Sequence, residues 1–241
     1  SGASVGASLM IVTAGGFIQG GALVGLSLVS IGAFVGGFTA TLLVYRLATS
    51  GMGTSVTTML LAGIAISALA GAATNTLSYL ADNDMLRRIS LWQMGNLQGA
   101  SWERVGLGAL TAGCLAVLIP RETGALNAML LGESEARHLG INVEWLKRRL
   151  IIYSALGVAI SVAIAGVIAF VGLMVPHLIR LLVGPDHRSL LPLSALAGAI
   201  LLVAADALAR VVIAPAELPV GIVTALLGAP FFLWLLVLQR G

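Results

Sequence analysis

Charge is scarce in this sequence and is confined to a few short stretches. Asp, Glu, Lys, Arg and His are all missing from residues 1–45, 47–81, 150–176 and 218–239. Charged residues make up 10% of the 241-residue chain, whereas a water-soluble domain carries roughly 25%. The polar surface needed to keep a globule of this size in water is therefore lacking, which excludes a soluble enzyme or a soluble binding module. At about 1.5 Å of rise per helical residue, each uncharged stretch can cross a hydrocarbon layer of about 30 Å. Also missing is the polar–apolar alternation over segments of about ten residues that a transmembrane barrel requires. The fold class is all-α, a polytopic transmembrane helical bundle.

Cysteine occurs once, at Cys114, so no intrachain disulfide can form. Inside an apolar run, it is expected to be a small core residue. Lysine also occurs once, at Lys147, and no glycine-rich run precedes it, so the phosphate-cradling loop of an ATPase is absent. Any ATP hydrolysis must lie on another polypeptide. The three histidines, His138, His177 and His187, are not spaced as zinc or iron ligands. Glu133 with Glu135 and Asp82 with Asp84 fall in loops, which leaves no paired carboxylates of catalytic type. The formal charge of +3 does not mark a nucleic-acid binder, because no basic run exceeds Lys147, Arg148 and Arg149. The chain opens on small residues with no positive leader, and its start resembles the middle of a longer protein. These absences describe a conduit that binds no cofactor or metal of its own, and no enzyme.

What remains is about eight apolar spans: 3–17, 22–45, 56–80, 105–119, 150–170, 176–183, 190–208 and 220–238. A break at Gln19, Gly20 and Gly21 separates the first two. The polar stretch 81–103 is expected to hold a short amphipathic helix at the interface, with Trp92 and Trp102 at headgroup level. The fourth span is expected to stop at Pro120. Residues 121–149 form the longest polar segment, predicted as two short helices split at Gly132. Pro176 is predicted to open the sixth span as a first-turn residue, and Asp186, His187 and Arg188 to form a tight polar turn. An even number of spans puts both termini on one side. The loops on that side hold Arg46, Arg121, Arg137, Lys147, Arg148, Arg149, Arg188 and Arg240; the opposite side holds Arg87, Arg88, Arg104 and Arg210. Eight cations against four predict cytoplasmic termini. Thirty glycines supply the small-residue faces that let helices approach closely in lipid.

The segment GVIAFVGLMVPHLIRLLVGPDHRSLLPLSALAGAILLVAADALAR, followed by PAELPVGIVTALLGAPFFLWLL, resembles the permease family of iron-siderophore, haem and cobalamin ABC importers. So do LGESEARHLGI in the polar segment, MLLAGIAISAL upstream and the opening SGA, so the resemblance covers essentially the whole chain. It implies a ten-span type II importer permease of which about eight spans are present, the first two being absent. Residues 1–241 would then be one permease domain, N-terminally incomplete, with 121–149 as its cytoplasmic coupling loop. The implied setting is the bacterial inner membrane. The implied partners are two copies of an ABC ATPase subunit carrying ATP and Mg, a periplasmic or lipid-anchored binding protein, a second permease copy and membrane lipid. The implied function is uptake of an iron-siderophore, haem or cobalamin, with a weak lean to haem from SLWQMGNLQGASW.

Four sites carry the functional expectations. Around Gly132, Glu133, Ala136, Arg137, Leu139 and Gly140, a helix breaks and restarts with acids in its first turn, where they complement the helix dipole. The residue pattern leaves a docking knob and a solvated interfacial loop equally open; the resemblance implies ATPase coupling. Asp206 and Arg210 sit four apart on one helix face, which fits a local ion pair, and the resemblance implies binding-protein docking for Arg210. Thr49, Ser50, Gly51, Gly53 and Thr54 are small residues at a pathway mouth, either a cytoplasmic gate or a plain connector. His177 and Arg180 are expected to start and orient the sixth span. A proton-coupled secondary transporter using Asp206 or Glu217 is the alternative, and a non-transporting fragment a third reading.

Overall fold

The structure, a computed structural model, describes residues 1–14, 22–50, 53–213, 216 and 218–238. The expected break at Gln19–Gly21 lies outside them, as do Gly51, Glu217 and Arg240. The elements in order are α1 (Gly2–Thr13), α2 (Ala22–Ala48), a hairpin of β1 (Thr49–Ser50) and β2 (Gly53–Thr54), α3 (Val56–Leu80), α4 (Asn83–Gln93) and α5 (Trp102–Leu118). A 3-10 turn (Ile119–Glu122), α6 (Thr123–Met129), α7 (Glu133–His138), α8 (Val143–Ala165), α9 (Val171–Val183), α10 (His187–Val211) and α11 (Val220–Leu238) complete the chain. Among the described residues, five stretches, 28–48, 56–80, 102–129, 143–165 and 187–211, are long and apolar enough to cross a membrane, and α1, α9 and most of α11 are shorter apolar helices. The protein is an all-α, multi-pass membrane bundle. Apolar side chains such as Leu60, Leu61, Ile64, Leu196 and Ile200 face outward, a surface that suits lipid and that water would penalise.

The chain forms two compact units. In the first, made of residues 1–93, 101–115 and 142–166, α1 lies against α2 through paired glycines four residues apart. A Cβ at Gly6 would run into the Gly32 carbonyl, and one at Gly2 or Gly36 into the other's carbonyl. Lipid tails are as apolar as leucine, so dispersion contact at short range and not water exclusion holds such helices together. Ala3, Ala7, Ile11, Val29, Ala33, Ile89 and Ala163 are the buried cluster, with Met85 and Trp92 packed on it. Ser30 on α2 donates to the Ala163 carbonyl on α8 at 2.8 Å. Helix α5 buries none of its side chains, so Cys114 is exposed and is not the core residue its apolar neighbours suggested.

The second unit comprises residues 94–100, 116–141 and 167–241. Here α9, α10 and α11 pack together, with Val175, Ile179 and Leu190 buried between α9 and α10. Two sequence expectations fail in this unit. Helix α9 begins at Val171, not at Pro176, which sits inside it. The reason is backbone turning that the uniformly apolar sequence does not advertise: Gly166 at φ 72° ends α8, and Phe170 at φ 68° redirects the chain. Pro176 falls in the second helical turn, where it removes one rung of the hydrogen-bond ladder. His177 is therefore mid-helix, with Phe231 and Phe232 centred 6.4 and 6.5 Å away, and does not start the span. The fifth span correspondingly ends at Ala165. Pro120 does not stop the fourth span, because it occupies the start of a 3-10 turn, where a missing N–H breaks nothing; the helical path continues to Met129.

Candidate functional site

Three local constructions gather the residues singled out in the sequence. The first is the polar knob. Helix α6 closes with Leu130, Leu131 and Gly132 N–H groups donating to the carbonyls three residues back, each at 3.1 Å. Gly132, at φ 107° and ψ 156°, then takes a conformation that a side chain would strain. Helix α7 begins with Glu133 and Glu135 in its first turn. It ends as a Schellman motif, with Ile141 N–H on the Ala136 carbonyl at 3.0 Å and Gly140 N–H on the Arg137 carbonyl at 2.9 Å. Arg137 lies 3.9 Å from Glu133. Ala136 is fully buried, while Leu130, Leu131 and Leu139 are 50, 67 and 64% exposed. Three exposed leucines thus lie in the longest polar stretch of the chain.

The knob is tied to α10 by a residue that sequence reading passed over. The Asn127 amide nitrogen donates to Asp186 Oδ1 at 2.6 Å. Asn127 Oδ1 accepts the His187 backbone N–H at 2.9 Å and lies 2.8 Å from His187 Nδ1. Asp186 is the N-cap of α10, accepting from the Arg188 N–H at 3.0 Å. That bond, then the Asn127 amide, holds the Asp186 carboxyl below the usual carboxylate range. The expected polar turn is thus a helix cap, with His187 and Arg188 already helical.

The second construction is the hairpin of Thr49, Ser50, Gly53 and Thr54. It is antiparallel structure, with Thr49 opposite Thr54 and Ser50 opposite Gly53. The Thr49 and Thr54 hydroxyls meet at 3.1 Å, and Ser55, which caps α3, donates its N–H to the Ala48 carbonyl at 3.0 Å. Glu144 Oε2 on α8 accepts the Thr54 N–H at 2.9 Å, and Lys147 Nζ donates to the Thr54 carbonyl at 3.0 Å. Neither Glu144 nor Lys147 was marked from sequence as a site residue; that Lys147 is the sole lysine was the one available signal.

The third is the pair on α10, where Arg210 Nε meets Asp206 Oδ2 at 2.8 Å. Half the Arg210 side chain remains exposed. Among the described residues, no group of three His, Cys, Asp or Glu side chains is gathered as a metal would require.

A family model described as the FecCD transport family matches residues 1–238. The chain belongs to the FecCD transport family. Among relatives, it is 47% identical over 212 residues to the hemin transport system permease protein HmuU of Yersinia pestis, covering 87% of this chain and 63% of that protein. It is 46% identical over 179 residues to the vitamin B12 import system permease protein BtuC of Vibrio cholerae, covering 74% and 54%. With the cobalamin import system permease protein BtuC of Halobacterium salinarum it shares 42% identity, covering 98% and 70%. The chain therefore spans a little over half the length of the first two of these relatives. A solved structure described as an inward-facing metal-chelate type ABC transporter matches at a TM-score of 0.84 and 33% identity, covering 98% of this chain and 73% of that one. These relatives are permease subunits of transport systems and not enzymes.

Proposed function

We propose that this FecCD family member is the membrane-spanning subunit of an ATP-binding-cassette importer carrying a metal chelate, of the haem, corrinoid or iron-siderophore kind, into the cell. The observation that carries this reading is the knob at Gly132, two short helices flanked by exposed Leu130, Leu131 and Leu139 in a chain otherwise built for lipid. Such a knob can seat in a cleft of a separate ATPase, which would supply the ATP and Mg that this chain has no loop to hold. The family match and the names of the relatives support the same reading. The chain sits in the inner membrane with both termini and the knob cytoplasmic. Two such permeases pair with two ATPase subunits, and an external binding protein docks near Arg210. The hairpin Thr49–Ser50 and Gly53–Thr54 gates the cytoplasmic mouth. Binding and hydrolysis of ATP bias inward-open against outward-open states.

The proton-coupled reading is disfavoured. The relatives are named as permeases of transport and import systems, and the Asp206 carboxylate is paired with Arg210 at 2.8 Å. The test is uptake into proteoliposomes holding the permease, its ATPase and its binding protein, with haemin and cyanocobalamin as probes. Accumulation of one probe that requires ATP on the ATPase side is expected. Accumulation without the ATPase, collapsed by a proton uncoupler, would overturn the reading.

A further inference from the structure

We propose that Glu144 and Lys147 are positioning residues that latch the hairpin to the helix leaving the knob, so that movement of the knob reaches the hairpin directly. The proposal rests on reading the hairpin as a gate, and its first test does not depend on transport. In an antiparallel ladder, residues alternate between pairs that exchange backbone hydrogen bonds and pairs that do not. The Ser55 N–H bonds the Ala48 carbonyl, so the neighbouring pair Thr49–Thr54 is of the second kind, and the Thr54 peptide faces away from its partner strand. Thr54 is only 5% exposed, so water does not serve these outward groups freely. Glu144 takes the N–H and Lys147 the carbonyl, at 2.9 and 3.0 Å, and their charges lie 3.8 Å apart. Lys147 is 11% exposed in its side chain.

The hairpin is shaped to allow this contact. A Cβ at Gly53, where φ is +112°, would lie 2.8 Å from Glu144 Oε1. The latch is also close to the knob along the chain. Helix α7 ends at His138, and Asn142 caps α8 through a 3.0 Å bond from the Trp145 N–H to its Oδ1. Only Leu139, Gly140 and Ile141 separate the last residue of α7 from that cap. An ordinary exposed ion pair contributes little. Here the loss of Glu144 strands a poorly hydrated N–H, and that loss is felt at the hairpin.

The experiment uses the permease assembled with its ATPase and binding protein in lipid nanodiscs and in proteoliposomes. A nitroxide is placed at Ser50→Cys in a Cys114→Ala background, with haemin and cyanocobalamin as transport probes. Glu144→Ala and Lys147→Met should sharpen the label's spectrum as the hairpin loosens. They should also cut ATP-driven uptake about tenfold, the scale of one hydrogen bond to a charged group, while ATP hydrolysis continues. Gly53→Ala should do the same, both by pressing on an intact Glu144 and by putting a side chain on a backbone at φ +112°. Glu144→Gln keeps an acceptor for the Thr54 N–H and should rescue both readouts. The double exchange Glu144→Lys with Lys147→Glu keeps an ion pair but removes the acceptor, and should rescue neither. An immobile label in both Glu144→Ala and Gly53→Ala, or full rescue by the double exchange, would overturn the latch. Absence of ATP-driven uptake in the unsubstituted complex would instead defeat the importer reading, with the label still deciding the latch.

Discussion

At the scale of single residues, the junction between Asn127 and the start of α10 makes a testable claim about pH. The Asp186 carboxyl is held below its ordinary value of 3.8 by the Arg188 N–H first and the Asn127 amide second. A carboxylate whose folded value is depressed contributes stability that is present above its unfolded value and lost as pH falls through the folded one. The junction should therefore hold through neutral and mildly acidic pH and loosen only below the usual carboxylate range. Hydrogen exchange at the Arg188 amide, corrected for its intrinsic rate, should stay protected at pH 5. The same amide in Asp186→Ala should be unprotected at every pH. This contact was hidden in the sequence because Asn127 and Asp186 are 59 residues apart, and neither type is rare in a polar loop. The Asp206–Arg210 pair was legible for the opposite reason: helical spacing alone brings residues four apart together.

At the scale of elements, glycine has two distinct uses. Along α1 and α2 it is a matter of space: Gly6→Leu or Gly36→Leu must push the helices apart. Overpacking of this kind costs about 1–3 kcal/mol, which thermal unfolding in detergent should register as a lowered midpoint. Gly63→Ala, with nothing within 4 Å of the added Cβ, should not lower the midpoint, since alanine is the better helix former. At Gly132 the matter is dihedral angle. Proline is confined to negative φ, so Gly132→Pro cannot keep the 107° bend that sets α7 against α6. Expression in the membrane should be retained, and ATP-driven uptake should be lost while ATP hydrolysis persists. Arg137→Glu, which replaces the pairing with Glu133 by repulsion, should give a milder form of the same defect. Equal uptake in both variants and the unsubstituted protein would remove the knob from coupling.

At the scale of the whole molecule, the importer reading asks for two working faces. Arg210, half exposed beside Asp206, is offered as one contact of the external face. Arg210→Glu should weaken capture of the binding protein by about 1 kcal/mol or more, with the difference shrinking as salt screens the exposed charges. Surface plasmon resonance at low and high salt would check this, and equal affinity at both would place the docking face elsewhere.

The sequence by itself determined that the chain crosses a membrane as helices, since neither a 27-residue uncharged run such as 150–176 nor its neighbours can be satisfied in water. It also determined the split at Gly132 and the likeness to importer permeases, because glycine breaks and long motifs are local and read without folding. Only the tertiary structure decided that α9 begins at Val171, that Cys114 faces outward, and that Asn127 clasps the start of α10. It alone also decided that Glu144 and Lys147 grip the peptide of Thr54. The physical reason is common to all four. A backbone turn within uniformly apolar sequence and a hydrogen bond between residues 59 or 90 apart both depend on which segments meet. Hydrophobicity in lipid says that a helix forms without saying which neighbour it faces.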